Sequence, residues 1–122
     1  MLETFVEFTF EAAHQIPPFS TLHGHSFRVV VFMTGERDPK FGWSHNLYDV
    51  DAAISETKRR LHDSYLNEIE GLEVPSLENV AVWIWRQLDP VLPGLDRVVV
   101  RRGIEGAGEG CCYSGRAVRN AA

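Results

Sequence analysis

Basic residues are in deficit in this chain. Twelve Lys and Arg stand against 17 Asp and Glu, a formal net charge of −5 over 122 residues. That balance argues against a dedicated nucleic-acid binder and against a polybasic membrane anchor. Long apolar runs are missing too, and none approaches the ~20 residues of a membrane span. A basic leader is lacking: the first ten residues, MLETFVEFTF, are acidic, so export is not expected. Cysteine is scarce. The only two, Cys111 and Cys112, are adjacent and so poorly placed to bridge, and free thiols suit a reducing cytoplasm. What is present is an ordinary globular mixture, 44% hydrophobic and 24% charged, in a length that suits one domain, residues 1–122. Histidine is the exception to the ordinary pattern. Of five, His14, His23 and His25 fall within twelve residues.

Hydrophobic periodicity orders the chain. In residues 2–12, Leu2, Thr4, Val6, Phe8, Phe10 and Ala12 share one parity, while Glu3, Glu7, Thr9 and Glu11 take the other, which predicts a half-buried strand. A loop with Pro17 and Pro18 follows, then a second strand over 23–34 with Phe27, Val29, Val31 and Met33 on its apolar face. Asp49 is expected to cap a helix reaching about His62, and Ser76 a second helix to about Leu88. Residues 95–101 predict a third strand and 111–118 a fourth. The order ββααββ describes an α+β domain: two hairpins around a helical pair.

Parity also organises the histidines. His14 continues the apolar face of the first strand, and His23 and His25 lead into that of the second. Antiparallel pairing would bring all three imidazoles to one end of the sheet. Three neutral imidazoles with a fourth position open make a catalytic type of Zn²⁺ site. Gly24 between two ligands would allow close backbone approach. The plain alternative is ordinary histidines at a strand edge. A zinc finger is not expected, because the cysteines lack CxxC spacing.

FTFEAAH at 8–14, LHGHSF at 22–27 and YLNEIEGLEVPSLENVAVWIW at 65–85 resemble the 6-pyruvoyltetrahydropterin synthase family, closest to its bacterial 6-carboxytetrahydropterin synthase branch of the queuosine pathway. The resemblance implies the tunnelling fold, with a four-stranded antiparallel sheet and two helices on one face. It implies a homohexamer with substrate sites at subunit interfaces. It implies a zinc-dependent lyase in which Zn²⁺, on His14, His23 and His25, holds the side-chain oxygens of 7,8-dihydroneopterin triphosphate or a related pterin. Ser76 would lie near the pterin while also capping its helix.

The chain departs from the family pattern at the catalytic groups. The family's cysteine before HGH is missing; the position four before His23 is Phe19, with Ser20 and Thr21 the nearby hydroxyls. Where the family has Leu-Asp-His, this chain has Leu61-His62-Asp63. His62 and Asp63 are therefore either the proton-transfer pair or simply the end of a helix. The family glutamate that anchors the pterin ring falls on Arg102 or on Glu105, depending on the end from which one counts. Glu105 fits the chemistry, since a carboxylate can accept two parallel hydrogen bonds from an N–C–N edge and arginine has no acceptor. Arg102 in that pocket, with Glu105 in solvent, would instead indicate an anionic ligand.

The remaining residues divide between plain and sharp readings. His45 reads as a surface loop residue, and Trp83 and Trp85 as core and interface rather than ligand stackers. Cys111 and Cys112 are strand residues or a substitute thiol for the site. A diverged paralogue that keeps zinc and a pterin or purine but catalyses another step, such as an aldol-type cleavage, is the alternative function. A non-catalytic binder or structural subunit is a third.

Overall fold

The computed structural model describes residues 1–103 and 108–115. Two long strands, β1 (Leu2–His14) and β2 (His23–Gly35), form the centre. They pair antiparallel without interruption, from Leu2 opposite Gly35 to His14 opposite His23. Their even and odd positions respectively turn Phe8, Phe10, Phe27, Val29, Val31 and Met33 into the core. Each such side chain taken out of water contributes about 1.5–3 kcal/mol, which is why one register is so strongly preferred.

The first helix, α1 (Leu47–Leu61), begins earlier than expected. Asn46, not Asp49, is its cap: Asn46 keeps extended backbone and its side chain accepts the Tyr48 N–H at 3.0 Å. Asp49 lies inside the first turn, where its charge favours the helix dipole. The second helix, α2 (Leu77–Leu88), is capped by Ser76 as expected, its hydroxyl accepting the Asn79 N–H at 3.1 Å. Val80, Ala81, Ile84 and Leu88 form the buried stripe, and Trp83 and Trp85 join the core.

Among the described residues the sheet has five strands rather than four. Between the helices, the two-residue β3 (Ser64–Tyr65) pairs parallel with Ala12 and Ala13 of β1. With β4 (Leu95–Arg102) and β5 (Glu109–Tyr113) the order is β3-β1-β2-β4-β5, so the sheet is mixed. No hydrophobic alternation marks β3; it forms because the end of α1 is tied to β1, Asp63 N–H donating to the Glu11 carbonyl at 2.7 Å. β5 starts two residues before the expected 111, since Arg102 and Arg101 already pair with Glu109 and Gly110, and it ends at Tyr113. Residues 116–118 of the expected strand lie outside the described residues. Both helices lie over the core-facing side of the sheet, α1 by β1 and α2 by β4 and β5.

Gly94 shapes the turn into β4. It takes φ +79°, and a Cβ there would collide with the Thr34 carbonyl oxygen. Gly24 has no such need. A Cβ there would meet nothing nearer than the Ala12 carbonyl oxygen at 3.7 Å, an ordinary contact, so the close approach expected at that glycine does not occur within the chain. No helix among the described residues is long and apolar enough to cross a membrane.

Candidate metal centre and adjoining groove

The β1–β2 register brings His14, His23 and His25 together at one end of the sheet, on the core-facing side. Their ring centroids lie 4.5–4.9 Å apart, each pair edge to face. One ligand atom from each lies within 4.8 Å of the others. His14 is buried, with 1% of its surface exposed.

The hydrogen bonds select the tautomers. His14 Nδ1 lies 3.0 Å from the Pro75 carbonyl oxygen, and His23 Nδ1 lies 2.6 Å from that of Thr21. A carbonyl only accepts, so both Nδ1 atoms carry the proton and both neutral rings keep a lone pair on Nε2. Those two Nε2 atoms face each other at 3.1 Å. The His25 Nε2 is buried and has no partner among the described residues. Acceptors turned inward on one point, with backbone carbonyls behind two of them, are the donor set of a borderline metal ion. Tetrahedral Zn–N bonds of about 2.0–2.1 Å would separate two such nitrogens by about 3.3 Å.

The protonation state agrees with this arrangement. Burial, reinforced by His14, His23 and Arg102, pushes the His25 pKa down to about 4. Burial also lowers that of His14, against the Pro75 bond and together with His23 and Arg102. Both rings are therefore neutral at neutral pH, the form in which an imidazole can ligate a metal.

A groove leads away from the imidazoles. Next to them a depression of about 330 Å³ is walled by Ile16, Phe19, Ser20, Arg102 and Glu109. Ile16, Arg102 and Glu109 also wall a second depression of about 430 Å³, which continues to Ser76, Glu78 and Cys111. Ser76 thus both caps α2 and faces the groove. The Ser20 hydroxyl accepts the Ile16 N–H at 2.8 Å and so holds its own loop. Half-buried Cys111 reaches the groove with its thiol pKa raised by burial, the opposite of an activated thiolate. Arg102 occupies the groove wall, and Glu105 lies outside the described residues.

His62 and Asp63 sit elsewhere. The His62 Nδ1 accepts the Glu11 N–H at 3.1 Å, leaving Nε2–H directed at Asp63 Oδ2, 3.5 Å away. Asp63 takes φ 57° and lines a separate depression with Glu11, Ser26 and Ser64, which meets the metal centre only through His25. Within one chain the pair and the groove are thus not brought together. His45 is a loop residue that bonds the Pro93 carbonyl oxygen at 2.7 Å. Sequence reasoning missed Glu109, which lies in the glycine-rich segment 103–110 between the third and fourth expected strands. The signal available was an opposite charge facing Arg102 across a hairpin.

Comparison with known proteins agrees with the geometry. The family model described as 6-pyruvoyl tetrahydropterin synthase matches residues 3–115. The 6-carboxy-5,6,7,8-tetrahydropterin synthase of Synechocystis sp. is 37% identical over 105 residues, spanning 77% of this chain and 81% of that protein. The dihydroneopterin monophosphate aldolase of Pyrococcus furiosus is 32% identical over 88 residues, 70% of this chain and 74% of that one. In three dimensions the 6-pyruvoyl tetrahydropterin synthase of Caenorhabditis elegans superposes with a TM-score of 0.83 at 20% identity, over 94% of this chain and 96% of that one, a likeness of fold. With a family model matched along nearly its whole length, the chain belongs to the 6-pyruvoyl tetrahydropterin synthase family.

Proposed function

We propose that the protein is a zinc-dependent lyase of tetrahydropterin synthesis, acting on 7,8-dihydroneopterin triphosphate or a related pterin to give a 6-substituted tetrahydropterin. The observation that carries the reading is the convergence of His14, His23 and His25, with the Nδ1 protons of His14 and His23 held by backbone carbonyls. These residues would hold Zn²⁺, which when bound supplies Lewis-acid polarisation of substrate oxygens. The groove beyond takes the ring, with Ser76 on its wall and Glu105 as the carboxylate that accepts from the ring edge. His62 exchanges the proton, oriented by Asp63 and by the Glu11 amide. Since His62 and the groove are apart within one chain, the working site takes the pair from a neighbouring subunit of a hexamer. The cytoplasm is the setting that free thiols favour.

A second reading has its own support. Phe19 stands where the family's cysteine is expected, and an aldolase is among the relatives. On that reading zinc and pocket persist while the side chain is cleaved by an aldol step. Zinc-loaded protein incubated with 7,8-dihydroneopterin triphosphate, with products identified by mass spectrometry, separates the two. Formation of 6-carboxytetrahydropterin supports the first reading, and an aldol product supports the second. No conversion at full zinc occupancy overturns both.

A further inference from the structure

We propose that Arg102 is a ligand-binding residue that takes an oxyanion group, a carboxylate or a phosphate, of the molecule bound at the histidine centre. The placement follows from register. Arg102 lies directly opposite Phe27 on β2 and opposite Glu109 on β5, and Phe27 lies opposite Phe10 on β1. Directly opposed residues project to the same side of a sheet. One core-facing row therefore runs Phe10, Phe27, Arg102, Glu109, apolar at one end and charged at the other. His25, two residues before Phe27, stands diagonally next to Arg102. An arginine on the core-facing side of a strand breaks the alternation that organises the rest of the sheet.

Its surroundings leave it under-used. Only 19% of the Arg102 side chain is exposed, and its Nε is buried without a partner among the described residues. The guanidinium has one ionic partner there, Glu109, through Nη2 at 2.8 Å. Glu109 is 67% exposed, so that pair is screened by water and contributes little. A guanidinium presents a planar fork suited to two oxygens at once. A ligand oxyanion can displace the exposed Glu109 carboxylate without moving the arginine. A plain salt-bridge role for Arg102 would leave its location in both halves of the groove unused.

The proposal rests on the reading of the histidines as the ligand-binding centre, and its test keeps the two apart. The purified protein, its zinc content measured on the same sample, is titrated calorimetrically with inorganic phosphate and, in a separate arm, with acetate. The expected result is saturable 1:1 binding in at least one arm, weakened tenfold or more in Arg102→Gln and partly retained in Arg102→Lys. Glu109→Gln removes the competing carboxylate and should tighten binding several-fold, with zinc content unchanged throughout. No saturable binding in either arm, or undiminished binding in Arg102→Gln, overturns the proposal. Arg102-dependent binding by protein that takes up no zinc would keep this proposal and overturn the metal reading.

Discussion

His14 and His23 face each other across the last rung of the β1–β2 ladder, their Nε2 atoms 3.1 Å apart and both turned inward as acceptors. Each ring is held from behind, His14 by the carbonyl of Pro75 and His23 by that of Thr21. Two lone pairs at that distance repel, and a cation between them and His25 removes the conflict.

Metal analysis of protein purified without chelator is therefore expected to find about one zinc per chain. His25→Ala should weaken metal binding by more than the roughly 10–100-fold that loss of an outer partner costs, and abolish turnover. Undiminished zinc in that variant would refute the ligand set.

The metal-free protein should be acid-sensitive well before its carboxylates titrate. The His25 pKa falls from 6.5 to about 4 on folding, and that of His14 falls too. The unfolded chain then binds more protons than the folded one below about pH 6.5. Stability is fully present above that pH and declines as pH drops toward 4, beyond which His25 contributes no further loss. Denaturant melts of stripped protein at several pH values check this, and His25→Ala should flatten the decline.

The assembly prediction follows from an open edge. β1 pairs with β3 only at Ala12 and Ala13, and Glu11 is taken up by His62 and Asp63, so its outer edge from Leu2 to Phe10 has no strand neighbour within the chain among the described residues. Such an edge invites strand pairing. Light scattering at micromolar concentration should give a hexamer, two rings of three. A monomer would count against it.

His62→Ala should lower turnover by about 10²-fold or more, the usual worth of a positioned acid–base group, while zinc content stays whole. Full turnover with full zinc would remove His62 from the mechanism. The wild-type rate itself should be slower than that of a relative bearing the cysteine.

Ser76 and Glu105 can be told apart by different readouts. Ser76→Ala loses the helix cap and should cost about 1 kcal/mol of stability. Glu105→Gln should leave melting and metal unchanged and weaken pterin binding. Equal pterin affinity in wild type and Glu105→Gln would exclude that carboxylate as the ring anchor.

Strand periodicity is a local property, so the shared face of His14, His23 and His25 was legible from parity alone, as were the core-facing phenylalanines and the Ser76 cap. Caps are decided by one or two residues of backbone, which is how Asn46 displaced Asp49. Features that depend on distant partners were out of reach. The carbonyl that selects the His14 tautomer belongs to Pro75, 61 residues away, and β3 exists only because the end of α1 docks on β1. The Arg102–Glu109 pair needed the β4–β5 register, which no periodicity in a glycine-rich segment could specify. The sequence by itself determined which side chains face the same way, because alternation repeats every two residues. Only the tertiary structure decided which of them meet, because hydrogen bonds and charges act across space irrespective of separation along the chain.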